Sequence, residues 1–232
     1  MAGDKPPIAI IGGTGPLGSG LARRLYAAGY AVVIGSRTAA RAEAAVAALA
    51  AANLASDNLA SDRGPGRLTG ADNVAAAKQG EVVFITVPWS SQAAILEDIK
   101  PHLAGKLLVD TTVPLVPPKV ARVQLPSEHS AALAAKQHLG SEVRVVSAFH
   151  NVAAQKLAGS DTIDCDVLVF GDDPKDREIV VGLAKAMGLD AVHAGPLANS
   201  VAAEALTSVL IGINRSYKVD GAGVRITGIR RD

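Results

Sequence analysis

Short apolar runs alternate with amphipathic segments along most of this chain, and the alternation predicts strands followed by helices. Ile8–Ile11 is a run of four apolar residues, typical of a strand that is buried on both faces. Leu17, Leu21 and Leu25 then recur at helical spacing, and Ala31–Ile34 is a second buried-type strand. A strand, a helix and a strand in this order predict a βαβ unit with two parallel strands.

The same alternation continues to the end of the sequence. Further strands are predicted over 81–87, 106–110, 144–148, 166–170 and 191–193, and helices over 39–52, 91–100, 127–139, 173–187 and 200–213. Prolines interrupt Pro114–Pro126, which we expect to be an extended excursion, and the five-residue repeat within 53–62 leads into an expected exposed loop ending at Gly66. The fold class is therefore α/β: a Rossmann-type doubly wound, mostly parallel sheet over residues 1–150, with a small C-terminal α/β extension over 151–232.

A glycine-rich turn joins the first strand to the first helix. Gly13-Thr14-Gly15-Pro16-Leu17-Gly18 has the G-x-G-x-x-G spacing that binds dinucleotides when it follows a strand and opens a helix. The glycines allow a tight turn, leave room for a pyrophosphate and permit close packing of helix on strand. Pro16 suits the first helical position, where an N–H has no partner in any case. The turn predicts a dinucleotide site.

Ser36 and Arg37 end the second strand, where an NAD site usually carries Asp or Glu. A carboxylate at this place repels the 2′-phosphate of NADP, whereas an arginine pairs with it through charge-assisted hydrogen bonds. Arg41 lies four residues further along the next helix and is expected to share that phosphate. The cofactor predicted by these residues is NADP rather than NAD.

Composition excludes several other classes of protein. The 232 residues have a net charge of +1, which gives no reason to expect a nucleic acid or an anionic membrane as partner. We see no apolar run that approaches the length of a membrane span and no signal-peptide pattern, and a single cysteine, Cys165, fits a reducing cytoplasm. The five histidines show no metal-ligand spacing, so no metal is predicted.

Three further motifs extend the picture beyond a general NADP site. They are Val87-Pro88-Trp89, Val146-Ser147-Ala148-Phe149-His150, and Ala194-Gly195-Pro196-Leu197-Ala198-Asn199-Ser200. Together with the glycine turn and Gly35-Ser36-Arg37, their order and spacing resemble the NADPH-dependent coenzyme F420 reductases over nearly the whole chain. The resemblance implies reversible hydride transfer between NADPH and the deazaflavin ring of F420, in a cytoplasmic homodimer.

The resemblance also implies roles for particular residues. The adenosine phosphate and pyrophosphate are assigned to the glycine turn, including Gly13, Thr14, Gly15, Pro16 and Leu17, and to Ser36, Arg37 and Arg41. The nicotinamide ribose is assigned to Val87, Pro88 and Trp89. The deazaflavin side is assigned to His150, Val152, Pro196, Leu197 and Asn199. No catalytic triad is expected, because the cofactors carry the chemistry and the protein orients them.

The identity of the hydride acceptor stays open at this point. Asn151-Val152-Ala153 and Val201 depart from the family pattern, and a reductase of FMN, FAD, ferric or cupric ions is the main alternative. An imine-reductase-like dehydrogenase and a non-enzymatic NADP sensor are further alternatives. Arg215, Lys218, Lys156 and Arg225 are candidate cations for an acidic F420 tail, and the segment around Val224 is expected to be a short edge strand or a dimer contact.

Overall fold

The computed structural model describes residues 5–54, 66–159 and 161–230, which are built on an eight-stranded sheet. The strands are β1 (Ile8–Ile11), β2 (Ala31–Ser36), β3 (Arg67–Asp72), β4 (Val82–Ile85), β5 (Leu107–Asp110), β6 (Arg144–Ser147), β7 (Asp166–Gly171) and β8 (Asp190–Gly195). The helices are α1 (Pro16–Ala27), α2 (Ala39–Leu54), α3 (Asn73–Gln79), α4 (Trp89–Ile99), α5 (Ala131–Leu139), α6 (Ala154–Leu157), α7 (Pro174–Ala186) and α8 (Ser200–Tyr217). Short 3-10 turns follow α4 and precede α8.

The spatial order of the strands is β3-β2-β1-β4-β5-β6-β7-β8. All neighbouring pairs are parallel except β6 and β7, which are antiparallel. The chain leaves β1 toward β2 on one side and returns to its other side with β4. The carboxyl ends of β1 and β4 therefore border the crevice in which doubly wound sheets bind ligands. The predicted fold class is confirmed.

Alternate strand residues bury against two helical layers. Ile8 and Ile10 face one layer, to which α1, α2, α6 and α7 contribute buried or partly buried side chains. Ala9 and Ile11 face the opposite layer, where α3, α4 and α5 pack. This double coverage explains why the strands read as continuous apolar runs rather than as alternating ones.

Strand β3 and helix α3 were not predicted from the sequence. Arg67–Asp72 has no apolar run, because β3 is an edge strand whose residues are exposed or half-buried. Gly70 packs so closely on α2 that a Cβ there would lie 2.6 Å from the Glu43 nitrogen. The repeat and loop expected over 53–66 fall mostly outside the described residues, although α2 extends through Leu54.

Two C-terminal expectations also differ from the structure. The helix expected from Ser127 begins at Ala131, because His129 has a φ of 73° and the Ser130 side chain caps the helix by accepting the Leu133 N–H. The described residues after α8 contain no strand, although Val224 accepts a hydrogen bond from the Asp166 N–H. Tertiary contacts, rather than local propensity, fix both segments.

Helix α8 corrects the expectation about apolar runs. Leu197–Tyr217 is long and apolar enough to cross a membrane, with a hydropathy of 1.3 over its best window. In the structure Ala203 and Leu210 are buried, and so is the carboxyl group of Glu204. Because 33% of that window is buried in the structure, packing against the described residues accounts for only part of the apolar composition of this helix.

Candidate functional site

The glycine turn after β1 has the backbone geometry that is typical of phosphate-binding turns. The Gly13 N–H donates to the carbonyls of Ile10 and Gly35, at 3.2 and 2.9 Å, and fixes the turn against β2. A Cβ at Gly18 would lie 2.6 Å from the Gly13 Cα, so only glycine allows α1 to approach so closely. Gly15 is the N-cap of α1 and provides no side-chain cap. The first N–H groups of this helix therefore lack a side-chain cap, an arrangement that in other proteins binds anions.

The end of β2 supplies the next part of the site. Ser36 is buried and its Oγ lies 3.4 Å from the Thr14 Oγ1, whereas Arg37 and Arg41 are exposed. These residues line a cavity of about 340 Å³, together with Asn73 from α3. The described lining residues include both arginines and no carboxylate. A cavity with this lining fits a phosphorylated ribose better than a free ribose diol.

Asn73 is a site residue that the sequence analysis missed. Its Oδ1 accepts the Gly12 N–H at 3.3 Å and so links α3 to the glycine turn. The local signal was Asp72, whose side chain caps α3 by accepting the Ala75 N–H at 2.8 Å. A capping aspartate directly before an alanine-rich segment predicts a helix start at this place.

A larger cavity of 710 Å³ continues from the first one. Both cavities are lined by Gly15, Thr86, Val87 and Pro88, so they share a wall. The larger cavity is mainly apolar and is also bordered by Leu17, by Trp89 at the start of α4, and by the segment after β5. A planar ring bound in the larger cavity would lie against any ligand that extends from the 340 Å³ cavity as far as these shared residues.

The side-chain hydroxyl group of Thr112 borders the larger cavity. Thr112 is 2% exposed and its Oγ1 has no hydrogen-bond partner of good geometry among the described residues, although the hydroxyl lies close enough to the Asp110 carboxyl to lower that group's pKa. Buried hydroxyl groups are normally paired, so an unpaired one beside a cavity indicates a place for a ligand atom. The sequence placed this segment at a strand end but gave no role to Thr112.

His150 and Val152 are buried beside a different cavity. This third cavity has a volume of 250 Å³ and shares no lining residue with the other two. The His150 Nε2 lies 2.9 Å from the Ser147 Oγ, and the Nδ1 has no partner among the described residues. Burial lowers the pKa of His150 to about 3, so its imidazole is neutral at physiological pH.

Helix α8 holds the loop that carries His150. The Thr207 Oγ1 donates to the His150 carbonyl at 3.0 Å, and the Asn151 Nδ2 donates to the Ala203 carbonyl at 2.9 Å. The sequence analysis gave no role to Thr207, although this residue lies near the expected acceptor side. These bonds join α8 to the end of β6.

The remaining residues assigned to the acceptor side lie apart from the cavities described above. Pro196 and Asn199 are exposed, whereas Leu197 is buried in the core and its N–H donates to the Asp172 Oδ1 at 3.0 Å. Arg225, one of the candidate cations for an acidic tail, forms ion pairs with Asp164, Asp166 and Asp190. Its charge is therefore already balanced.

Comparison with known proteins agrees with this geometry. Residues 7–114 match the family model described as NADP oxidoreductase, coenzyme F420-dependent. An F420-dependent NADP reductase of Methanocaldococcus jannaschii is 38% identical over 96% of this chain and 98% of its own length. The same enzyme from Methanothermobacter marburgensis is 35% identical over 96% of this chain and 98% of its own length.

A solved structure supports the fold independently. A protein from Arthrobacter sp. FB24, provisionally assigned as an F420-dependent NADP reductase, superimposes with a TM-score of 0.74 at 24% identity. The match covers 96% of this chain and all of that one. With its glycine turn, with Arg37 directly after β2 and Arg41 in α2, and with 35% and 38% identity to such enzymes over 96% of its length, this chain belongs to the family of F420-dependent NADP reductases.

Proposed function

We propose that this protein transfers a hydride between NADPH and the deazaflavin coenzyme F420, reversibly and with one proton taken up when F420 is reduced. The observation that carries the proposal is the wall shared by the two larger cavities, at Gly15, Thr86, Val87 and Pro88. The two cavities adjoin at these residues, so a nicotinamide that extends from the first cavity would lie against an acceptor ring in the second. Family membership identifies the acceptor class.

The N-terminal residues are proposed to bind NADPH in three parts. Arg37 and Arg41 pair with the 2′-phosphate, and Ser36 and Thr14 bind the neighbouring ribose. The open N–H groups at the start of α1, around Gly15, hold the pyrophosphate. This division requires no movement of the described side chains, because all these groups already border the same cavity.

The shared wall is proposed to place the nicotinamide. Val87, Pro88 and Trp89 run along the carboxyl end of β4 and into α4, where they border the larger cavity. The Thr112 hydroxyl offers a hydrogen bond to a polar ring substituent in that cavity. The hydride comes from NADPH, and the protein contributes the alignment of the two rings, worth up to about 7–11 kcal/mol of the barrier.

The acceptor ring is proposed to lie in the 710 Å³ cavity, whose lining is mainly apolar. His150, Val152, Pro196, Leu197 and Asn199 stay the predicted acceptor-side residues, and residues 151–232 the part that completes the pocket. His150 and Val152 line the separate 250 Å³ cavity, and their contact with the acceptor ring stays a prediction. Arg215 and Lys218, both exposed, are the proposed cations for the acidic tail.

We also infer that the enzyme is a cytoplasmic homodimer. Val209, Ile213 and Tyr217 are spaced four residues apart on α8 and are 46%, 37% and 75% exposed. An apolar stripe of this kind supports contact with a second copy, because solvated helix faces are usually polar. Light scattering should give twice the 23.6 kDa mass of one chain, and Ile213→Arg should halve it. A single-chain mass for the native protein would contradict the dimer.

The proposed reaction is tested by mixing the purified protein with NADPH and, separately, with F420, FMN, FAD or ferric citrate. Loss of the deazaflavin absorbance, with NADH far less effective than NADPH, is the expected result. The reverse reaction, from reduced F420 and NADP, should form NADPH. Reduction of FMN, FAD or ferric ion without reduction of F420 would overturn the proposal and favour the alternative reductase classes.

A further inference from the structure

Two buried carboxyl groups lie outside the residues assigned to NADPH or F420. Asp110 ends β5 and is 0% exposed, and Glu204 on α8 is 1% exposed. The Asp110 Oδ1 accepts the Thr112 N–H at 2.8 Å. Asp110 therefore holds the backbone of a residue that lines the cavity.

The two carboxyl groups are connected through the first residue of α5. The Glu204 Oε2 accepts the Ala131 N–H at 2.6 Å, and its Oε1 accepts the Ala132 N–H at 3.2 Å. Gln92 on α4 donates to the Asp110 Oδ2 at 2.6 Å and to the Ala131 carbonyl at 3.3 Å. Strand β5 and helices α4, α5 and α8 thus meet at one polar cluster, which we call the acid pair (Asp110 and Glu204).

No cationic side chain among the described residues forms an ion pair or hydrogen bond with the acid pair. On α5, the Lys136 ammonium donates to the Val143 carbonyl, and His138 lies 2.9 Å from Glu97 of α4. Asp98 of α4 is exposed.

On the neighbouring strand β6, Ser147 is the register partner of Asp110 and contacts the neutral His150. The N–H groups at the start of α5 are the positive dipoles that face Glu204. They offset one negative charge at most.

Two full negative charges in this dry interior are strongly disfavoured. Burial, and to a smaller extent the charge of Asp110, raises the pKa of Glu204 to about 8. Burial raises the pKa of Asp110 to about 6, against the hydrogen bonds from Thr112 and Gln92. Adjacent carboxyl groups of this kind lose their protons in two separate steps that belong to the pair.

We propose that Asp110 and Glu204 are positioning residues that together hold one proton at neutral pH, and that the half-protonated acid pair holds α8 and the Thr111–Thr112 wall in place for hydride transfer. Loss of this proton leaves two buried negative charges linked through Gln92 and the start of α5, and their repulsion pushes α8 away from β5. Because α8 also holds the His150 loop through Thr207, the acceptor side is loosened and the glycine turn is not. This last consequence rests on the proposed function.

The sign of the pH effect follows from the direction of the shifts. Both carboxyl groups have a higher pKa in the folded chain than in the unfolded chain, so the folded state binds more protons. The stability they confer is complete below their unfolded values of 3.8 and 4.5 and is lost as the pH rises through about 6 and about 8. Melting temperature should therefore decline toward alkaline pH.

The first test reads the protonation state directly and needs no substrate. Infrared spectra at neutral pH should show the C=O band of a buried protonated carboxyl group, and the band should disappear on alkaline titration. In Glu204→Gln only Asp110 remains, with a pKa raised to about 6, so the band should be lost at neutral pH, whereas Asp110→Asn keeps Glu204, whose pKa is raised mainly by burial, and should keep the band. Glu97→Gln removes an exposed carboxylate of α4 and should keep the band. Native protein without the band would overturn the proposal.

The second test measures kinetics against pH. The KM for F420 should rise above about pH 8 in the native enzyme and in Glu97→Gln, by up to about tenfold per pH unit for a one-proton linkage. In Glu204→Gln, which mimics the protonated group, the KM for F420 should stay flat, and the KM for NADPH should stay flat in all three proteins. An unchanged pH profile in Glu204→Gln would refute the positioning role, even if the infrared band and the reductase activity are both present.

Discussion

Replacing Arg24 with methionine should destabilise the protein strongly, because this one side chain joins α1 to the C-terminal half of the chain. Arg24 is 5% exposed, and its guanidinium group donates to five backbone carbonyls. The acceptors are Lys156, Leu157, Gly159, Asp161 and Met187, at distances of 2.8 to 3.3 Å. Several of these carbonyls end α6 or follow α7, where helices leave carbonyl groups without internal partners.

The size of the effect can be worked out from these contacts. A hydrogen bond that involves a charged group contributes about 1.5–3 kcal/mol, but the five bonds share one side chain and are not additive. Methionine fills most of the volume and water reaches some of the freed carbonyls, so we expect a loss of about 3–5 kcal/mol, as for a broken buried ionic contact. For a chain of this size that corresponds to a fall in melting temperature of about 6–20 °C.

Thermal and urea denaturation measure this loss. Arg122→Met, on the exposed excursion after β5, is the matched control and should change stability by no more than about 0.5 kcal/mol. Arg24→Lys should be intermediate, since an ammonium group has three donors and no fork geometry. An Arg24→Met protein as stable as the Arg122→Met control would show that the five carbonyls do not depend on the guanidinium group, and the reasoning would fail.

Three further predictions concern the site. Arg37→Asp should raise the KM for NADPH by about 10–100-fold, because it removes a charge-assisted contact of about 1.5–3 kcal/mol. The KM for NADH should change little, and equal losses with both cofactors would contradict the phosphate role. Thr112→Val should change the melting temperature little, because the Oγ1 makes no hydrogen bond of good geometry among the described residues, and should lower kcat/KM about tenfold. An unchanged kcat/KM would remove Thr112 from the site. His150→Ser should lower kcat/KM for F420 in steady-state kinetics and leave the affinity for NADPH, measured by titration, unchanged. Unchanged F420 kinetics would show that His150 has only a structural role.

The N-terminal βαβ unit was predictable because its signals are local. Ile8–Ile11 and Ala31–Ile34 are buried on both faces, and the glycine turn between them needs no distant contact to be recognised. Ser36 and Arg37 follow at once, so the preference for NADP was also predictable. The resemblance to F420-dependent NADP reductases is confirmed by 38% and 35% identity to two such enzymes over 96% of this chain.

The edge of the sheet was not predictable in the same way. Strand β3 has a polar and glycine-containing sequence, and its conformation depends on backbone pairing with β2 along its whole length. Helix α3 then brings Asn73 to the glycine turn, a contact that only the folded chain creates. Likewise, α5 begins after His129 because the Ser130 cap and the left-handed residue before it fit the position of α8.

The α/β class, the position of the glycine turn and the positive charge that follows β2 could all be read from the sequence, because each depends on residues adjacent in the chain. The tertiary structure decided which groups from separate elements meet. It left the Thr112 hydroxyl unpaired beside a cavity, brought Asp110 and Glu204 to one helix start, and enclosed Arg24 among five carbonyls. Such contacts depend on distances between elements that local propensity does not encode, and burial then sets their energies because water no longer screens them.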